Sequence, residues 1–339
     1  MKTRLCILFL FIAFIAVLPA KGKNDSSEQR EKEVVVYAYD SFTADWGPGP
    51  ELVKRFEAET GCKCTLISAG DAVQVLTRAV LEKNAPQADV LVGLDNNQVK
   101  TVKAHKVLQS YKPANADSLI PADAVMDPDW QLVPYDWSYF ALIYDTQSDT
   151  PAPESLSDLT KDVYAKKLIL MDPRTSTPGL GFASWTRAVF GDKYLDFWKA
   201  LKPSILTMAP GWDAGYGLFT AGEAPLVISY TTSPAYHVEY DKTDRYRALI
   251  FDEGHIMQIE GAGLVNRAPN AKGGKAFLDF LISEKAQSVL PLTQWMYPVN
   301  AQVVLPASYK AVPKASKTLT NDSAEAEKIA ADIAATLAF

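Results

Sequence analysis

Two kinds of hydrophobic pattern alternate in the first part of the chain that follows the N-terminal segment. Residues 33–39, 64–68 and 88–93 are short runs with little polar alternation, which is typical of strands buried on both faces. Between them, apolar residues recur every three or four positions over residues 50–60 and 71–84, a spacing that predicts helices with one buried face. This order of strand, helix, strand, helix and strand predicts an α/β fold with a doubly wound sheet.

The second half of the chain contains two longer apolar runs. Residues 131–145 are strongly aromatic and long for a single strand, and residues 256–265 suit a return crossing. We expect both to run between two lobes, because the roughly 319 residues left after an N-terminal signal exceed one usual core. The remaining predicted elements are strands at 168–171 and 226–230 and helices at 193–201, 274–290 and 323–337.

The predicted lobes are discontinuous in sequence. Lobe 1 comprises residues 34–134 plus about 256–290, and lobe 2 comprises residues 135–255 plus about 291–339. Ligands of open α/β sheets bind at the carboxyl ends of the strands, so the loops that follow the predicted strands are the candidate ligand loops.

The N-terminus has the pattern of an export signal. Lys2 and Arg4 precede a nearly uninterrupted apolar run over residues 5–18, and Pro19 and Ala20 then lead into a polar stretch. We expect cleavage near Ala20, a flexible leader over residues 21–33 and a periplasmic location. The apolar run is short for a transmembrane helix.

Charge excludes some classes of partner. The full chain has 34 Lys and Arg against 40 Asp and Glu, a net charge of −6. Removal of residues 1–20 takes away two cations and leaves 32 against 40, a net charge of −8. An acidic exported protein is a poor candidate for binding nucleic acid or an anionic membrane surface.

Two cysteines remain after cleavage, Cys62 and Cys64. Residues two apart on a strand point to one face, but a disulfide in so small a ring would be strained. We therefore interpret Cys62 and Cys64 as two half-buried free thiols at the start of a strand. The alternative is a strained pair that forms and breaks a disulfide in an oxidising compartment. A metal site built on this pair alone is disfavoured.

Two hydroxyl-rich segments carry candidate ligand chemistry. Residues 171–181 and 229–237 each place Ser and Thr directly before a Pro, which predicts a side-chain cap and a helix start. Free N–H groups and the positive end of the helix dipole suit an anion. The alternative is that both segments are ordinary capped helices.

Aromatic residues recur beside these segments. Trp212, Tyr230, Tyr236 and Trp295 all lie at predicted loops or element ends, where large rings are more often buried in a cleft than left in water. Asp71 is expected either to cap its helix only or also to accept a hydrogen bond from an amino group of a ligand.

Residues suited to catalysis are sparse. The chain lacks a nucleophile elbow, a zinc-protease motif, a P-loop and a dinucleotide fingerprint. His237 and His255 are interpreted as structural, because no partner spacing accompanies either of them. These observations disfavour an enzyme.

Several longer motifs occur in an order that resembles a known family, the periplasmic thiamine-binding proteins of bacterial ABC importers. The resemblance runs from about residue 34 to residue 300. The motifs that carry it are Tyr39-Asp-Ser-Phe42 with Asp45-Trp-Gly-Pro-Gly-Pro50, Gly93-Leu-Asp-Asn-Asn97, Asp172-Pro-Arg-Thr-Ser-Thr-Pro-Gly-Leu-Gly181, Ser229-Tyr-Thr-Thr-Ser-Pro-Ala-Tyr-His237 and Trp295-Met-Tyr-Pro298.

This resemblance implies a two-lobed, type II periplasmic-binding-protein fold that closes on its ligand. The implied ligand is thiamine, thiamine monophosphate or thiamine diphosphate, and the implied partners are the membrane permease and the ATPase of an ABC importer. No cofactor is implied, and the chain is expected to be a monomer. The resemblance places the ligand against Tyr39, Asp71, Ala72, Ser176, Thr177, Trp212, Tyr230, Thr231, Thr232, Ser233, Tyr236 and Trp295.

Other functions stay open from the residues alone. A polyamine would suit aromatic rings surrounded by Asp40, Asp45, Asp71 and Asp95. Ferric iron is disfavoured, because no adjacent pair of tyrosines occurs in the chain. A secreted hydrolase would need an acid and a base with shifted pKa values.

Overall fold

The computed structural model describes residues 32–320 and 325–337. The predicted signal peptide and nearly all of the predicted leader lie outside the described residues. Among the described residues, no helix combines the length and the apolar character needed to cross a membrane.

The chain folds around two separate hydrophobic cores, and we call the parts that surround them lobe 1 and lobe 2. Fully buried rings in the core of lobe 1 include Phe42, Phe56 and Phe277. The core of lobe 2 contains Trp185 and Trp198, which are fully buried as well. The predicted α/β class and two-lobed arrangement are therefore confirmed.

The described part of the chain contains strands and helices that alternate through most of its length. The strands are Glu33–Ala38 (β1), Lys63–Ser68 (β2), Val90–Asp95 (β3), Leu108–Gln109 (β4), Val133–Asp145 (β5), Leu168–Met171 (β6), Ile205–Ala209 (β7), Leu226–Tyr230 (β8), Tyr246–Ala248 (β9), His255–Val265 (β10), Tyr297–Pro298 (β11) and Thr318–Leu319 (β12). The α-helices are Asp40–Thr43 (α1), Gly49–Thr60 (α2), Ala72–Glu82 (α3), Val99–His105 (α4), Ala116–Leu119 (α5), Thr177–Phe190 (α6), Tyr194–Leu201 (α7), Trp212–Thr220 (α8), Pro234–Tyr236 (α9), Ala271–Leu281 (α10), Glu284–Gln287 (α11), Leu290–Thr293 (α12) and Ala326–Leu337 (α13). Short 3₁₀ turns and one π-helical turn, His237–Asp241, complete the described residues.

The strands form one mixed sheet that passes through both lobes in the order β2-β1-β3-β10-β5-β8-β6-β7. Strand β1 pairs in parallel with β2 and β3, whereas β10 is antiparallel to both β3 and β5. On the other side, β8 is antiparallel to β5 and parallel to β6. Parallel strands in each lobe end at the gap between the lobes, which is where the candidate site lies.

Two long strands join the lobes. In β5, Tyr135 belongs to the core of lobe 1 and Phe140 to that of lobe 2, and β10 runs back with Ile256 in lobe 2 and Leu264 in lobe 1. The pairing between β5 and β10 shifts register between Glu260 and Gly261, which marks a bulge at the junction. Because β5 and β10 belong to both cores, the exact lobe boundaries stay a prediction.

Local sequence explains where two of the helices of lobe 1 begin or end. Helix α2 ends where Gly61 adopts a left-handed φ of 67°. Helix α3 begins with a capping box, in which the Asp71 carboxylate and the Gln74 side chain each accept a backbone N–H near the helix start.

The prediction of one helix over residues 274–290 is wrong. The structure has three helices there, α10, α11 and α12. Ser283 stops the first and caps the second, since its hydroxyl accepts the Ala286 N–H at 3.3 Å. Pro291 then lies in the first turn of the third, where the missing N–H of proline costs nothing.

Helix α8 was not predicted. Its sequence contains Gly215 and Gly217, which weaken helix propensity. Packing provides the compensation, because Tyr216 and Phe219 are buried in the core of lobe 2.

Cys62 and Cys64 are free thiols in this structure. Burial raises the pKa of the Cys64 thiol to about 12, and burial also raises the pKa of Cys62, which is less enclosed. A thiolate is the reactive form, so both thiols should react slowly, and Cys64 the more slowly of the two.

We therefore expect Ellman's reagent at pH 8 to modify Cys62 slowly in the native mature protein and Cys64 only after unfolding. The Cys62→Ser variant should show almost no native reaction, and Cys64→Ser serves as its matched control. Absence of both thiols after unfolding without reductant would mean that the two cysteines form a disulfide instead.

Candidate functional site

A cavity of about 620 Å³ lies between the two lobes. Lobe 1 contributes the end of β1 and the start of α3, and lobe 2 contributes the starts of α6 and α8 and the end of β8. Strand β10, the loop residue Trp46, the segment after β8 with Tyr236 and Tyr240, and residues 292–296 also contribute to the lining. The cavity thus lies where the predicted strand-end loops of both lobes meet.

Most of the predicted site residues line this cavity. Those that do are Tyr39, Asp71, Ala72, Thr177, Trp212, Tyr230, Ser233, Tyr236 and Trp295. The other three, Ser176, Thr231 and Thr232, are buried and lie outside the lining. The hydroxyls of Thr231 and Thr232 instead hydrogen-bond to the Ser138 hydroxyl at 3.2 and 3.0 Å, which joins the end of β8 to β5.

Trp212 forms one aromatic wall and is held in place on several sides. Its ring stacks on Tyr216 with 4.8 Å between centroids, and its Nε1–H donates to the Ser229 hydroxyl at 2.8 Å. The Trp46 ring lies 6.4 Å from it across the mouth of the cavity. This wall is pre-positioned to receive a flat ring.

Trp295 forms a second aromatic group with Tyr236 and Tyr240. The ring centroids of both tyrosines lie 5.4 and 5.5 Å from Trp295, with nearly perpendicular planes. Trp295 has a left-handed φ of 60°, which is uncommon for a bulky residue and marks a backbone held in place by its surroundings.

Glu260 supplies a buried carboxylate to the lining. Its Oε2 accepts the Tyr39 hydroxyl at 2.7 Å and also the Tyr135 hydroxyl, and its Oε1 accepts the Gln258 amide at 2.8 Å. Burial raises the pKa of Glu260 to about 7, although the two tyrosine hydroxyls act in the opposite direction. This carboxyl can therefore gain or lose a proton near neutral pH.

Asp136 lies opposite Glu260 on the neighbouring strand β5. It is fully buried, and neither of its carboxyl oxygens has a hydrogen-bond partner among the described residues. Burial, and then the nearby Glu260, raise the pKa of Asp136 well above its usual range. The carboxyl groups of Asp136 and Glu260 therefore tend to share at least one proton.

The start of α6 does not have the predicted side-chain cap. Ser176 is the N-cap residue, but its hydroxyl makes no capping hydrogen bond. Within the described residues, the hydroxyls of Ser176 and Thr177 have no partner although only 0% and 3% of the two residues is exposed. Both hydroxyls are thus free for other contacts.

The predicted helix start at residues 229–237 is also wrong in part. Helix α9 spans only Pro234–Tyr236 and passes into the π-helical turn. The Ser233 hydroxyl is bound to Ser229 at 2.8 Å and accepts the Tyr230 N–H at 3.3 Å. So short a helix has almost no dipole, and this segment shapes the cavity mainly through Tyr230 and Tyr236.

Asp71 connects the two lobes. Its Oδ1 accepts the Ala72 N–H at 2.6 Å as a helix cap, and its Oδ2 accepts the Trp212 N–H at 3.0 Å from the start of α8. The two expectations for Asp71 were a cap alone or a cap with a ligand contact. The structure shows the cap together with a contact to lobe 2.

The two histidines weighed above as candidate ligands, His237 and His255, are both hydrogen-bonded within the fold. His237 lies between Tyr216 and Asp241, at 2.9 Å from the Tyr216 hydroxyl and 2.7 Å from the Asp241 carboxylate. His255 accepts the Phe251 N–H and contacts the Phe140 carbonyl. Burial lowers the pKa of both rings, which fits the structural interpretation.

Sequence reasoning missed several lining residues. They are Glu260, Tyr216, Gln294, Trp46 and Tyr240. Glu260 had a visible signal, because it is the one charged side chain in the apolar run 256–265. The others lie near predicted site residues in sequence or in the fold, but only the folded chain shows that they face the same cavity.

Comparison with known proteins gives consistent similarities. The model of the bacterial extracellular solute-binding protein family matches residues 51–317. The chain is 39% identical over 317 residues to a thiamine-binding periplasmic protein from Brucella abortus biovar 1 (strain 9-941), which covers 92% of this chain and 91% of the relative. It is 41% identical over 296 residues to the thiamine-binding periplasmic protein from Escherichia coli (strain K12), with 86% and 88% covered.

A solved structure described as a periplasmic thiamin binding protein superposes with a TM-score of 0.85. The two chains are 38% identical, and the match covers 90% of this chain and 96% of that one. This similarity confirms the predicted two-lobed fold of the periplasmic-binding-protein type.

The buried carboxyl pair predicts an unusual dependence of stability on pH. Because the folded-state pKa of Glu260 is raised to about 7, its contribution is fully present below its unfolded pKa of about 4.3 and is lost as the pH rises through about 7. The free energy of unfolding should therefore fall over this range, by roughly 1–3 kcal/mol from this site.

Urea titrations of wild type and Glu260→Gln between pH 4.5 and 8 would measure this slope. We expect the variant to lose the roughly 1–3 kcal/mol of this fall that comes from Glu260, whereas the part that comes from the buried Asp136 remains. Glu223→Gln, on an exposed turn before β8, is the matched control and should keep the wild-type slope. An identical slope in Glu260→Gln and wild type would contradict the assignment.

Proposed function

The chain belongs to the bacterial extracellular solute-binding protein family and, within it, to the thiamine-binding periplasmic proteins, and from this we propose that it binds thiamine or a thiamine phosphate in the interlobe cavity and delivers it to the membrane permease of an ABC importer. The observation that carries this proposal is the combination of two aromatic groups with a buried carboxylate in one cavity. The family membership rests on close similarity over most of the chain.

The chemistry of the ligand matches these features. Thiamine has a permanent thiazolium cation and a flat aminopyrimidine ring, so it needs aromatic faces and a negative partner. Stacking on Trp or Tyr attracts such a cation by roughly 0.5–2 kcal/mol per ring. We assign Trp212 and Trp295 to the rings and Glu260 to the positive charge.

We assign the start of α6 to the phosphate of a phosphorylated ligand. The unpartnered hydroxyls of Ser176 and Thr177 and the first N–H groups of a 14-residue helix are donors suited to phosphate oxygens. Thr231 and Thr232 would act through the shape of the β8 end, since their hydroxyls bind Ser138.

Export and assembly complete the proposal. The mature chain begins after cleavage near Ala20 and acts in the periplasm as a monomer that catalyses no reaction. Its relatives are periplasmic binding proteins by description, which supports this role. The two lobes close on the ligand through bending of β5 and β10, the strands that join them.

Titration calorimetry of ligand-stripped mature protein tests the function directly, with thiamine, both phosphates and spermidine as ligands. We expect binding of at least one thiamine form and none of spermidine. Binding of spermidine alone would favour the polyamine alternative, and release of inorganic phosphate from the phosphorylated forms would favour a hydrolase.

Replacing Trp295 with Ala should weaken thiamine binding by about 2 kcal/mol or more, because a ring wall of the cavity is lost. Quenching of tryptophan fluorescence by thiamine provides the readout. Trp130→Ala is the control, since Trp130 is partly exposed on lobe 1 outside the cavity lining. Equal weakening by the two substitutions would contradict the assigned wall.

A further inference from the structure

We propose that the carboxylate of Asp71 is a built-in anion that occupies the anion-binding position of lobe 2, so that it latches the empty lobes together and must be displaced by the phosphate of a phosphorylated ligand. Unphosphorylated thiamine has no group that competes for this position. The ligand-selectivity part rests on the proposed function, whereas the latch itself does not.

Asp71 is anchored in lobe 1. It is the N-cap of α3, and its own N–H donates to the Gln74 side chain at 2.8 Å. One carboxylate oxygen is used by this cap, through the Ala72 N–H. The second oxygen is therefore the one that reaches beyond its own helix.

That second oxygen enters the start of α8 in lobe 2. It accepts the Trp212 N–H at 3.0 Å, and Trp212 is the first residue of this nine-residue helix. A Cβ atom on Gly211 would lie 2.7 Å from the same oxygen. Gly211 has an extended backbone that any residue adopts, so the close approach of Asp71 is the reason for glycine here.

The start of α6 faces the same carboxylate. Burial raises the pKa of Asp71, while the N–H groups of Ala72, Trp212 and Thr177 oppose this rise, as does the Ser176 hydroxyl, which lies near the carboxylate but outside hydrogen-bond geometry. The hydroxyls of Ser176 and Thr177 nevertheless have no hydrogen-bond partner among the described residues. Two helix starts and two free buried hydroxyls thus surround one anion, which only partly satisfies them.

The charge of the cavity makes this anion decisive for selectivity. Among the residues that the structure describes, the lining contains the carboxylates of Asp71, Asp213 and Glu260 and no Lys, Arg or His. A bound phosphate would therefore obtain its hydrogen bonds from N–H and hydroxyl groups alone, next to a carboxylate that already accepts the Trp212 N–H and repels a second anion. Removing the charge of Asp71 should remove this repulsion and make the Trp212 N–H easier for phosphate to reach.

The test compares the affinities of thiamine and thiamine monophosphate by calorimetry in wild type and Asp71→Asn. Asn keeps the size and the capping ability of Asp. We expect the preference for the monophosphate over thiamine to rise about tenfold. Glu223→Gln, which removes an exposed carboxylate outside the cavity lining, should leave this ratio unchanged.

An unchanged or reduced preference for the monophosphate in Asp71→Asn would overturn the proposed competition. Ser176→Ala tests the same competition in the opposite direction. It removes a hydrogen-bond donor, so it should weaken binding of the monophosphate more than binding of thiamine. Equal losses of both ligands in that variant would mean that phosphate does not bind at this helix start, which also overturns the competition.

Small-angle scattering without ligand tests the latch independently of thiamine. Asp71→Asn and Gly211→Ala should both increase the radius of gyration of the empty protein, the second by pushing the carboxylate away without a change in charge. Gly217→Ala is the control in the same helix, because nothing lies within 4 Å of its added Cβ. Unchanged radii in both variants would overturn the latch, and failure of wild type to bind any thiamine form would reject the proposed function instead.

Discussion

The pairing of Asp136 with Glu260 on strands β5 and β10 is the constraint on which the site depends. The two strands carry residues of both cores, so the lobes are joined through a continuous sheet rather than through loops. Two carboxyl groups lie side by side at that junction, both buried. Burial of charge is expensive, and the side chains of Tyr39, Tyr135 and Gln258 are arranged around Glu260 to offset it.

The same junction explains the placement of the binding surface. Tyr39 reaches Glu260 from the end of β1 and also receives the Gln294 amide from the segment that carries Trp295. The aromatic lining and the buried carboxylate are therefore one connected network. Within the described part of the chain, the carboxyl of Asp136 in the sheet and the hydroxyls of Ser176 and Thr177 at a helix start have no hydrogen-bond partner, which reduces stability and is typical of functional positions.

Sequence patterns predicted most elements and the aromatic part of the site. Buried strands, the two crossings and the element-end rings Trp212 and Trp295 depend on local order, which periodicity reveals. Glycine-rich α8 escaped prediction, because its stability comes from packing of Tyr216 and Phe219 in the core. Contacts between residues that are distant in sequence could not be predicted from local patterns either. The Asp71 bond to Trp212 joins residues 141 positions apart, and Ser233 is held by Ser229 instead of capping a helix.

The central claim is that a titrating carboxylate at the lobe junction receives the positive charge of thiamine. Because the pKa of Glu260 is raised to about 7, a bound cation should favour its ionised form and release a proton. Calorimetry at pH 7 in two buffers of different ionisation enthalpy counts the protons exchanged on binding. The account predicts net release of a fraction of a proton in wild type and none in Glu260→Gln. Binding without proton release in wild type, or with equal release in both proteins, would contradict it.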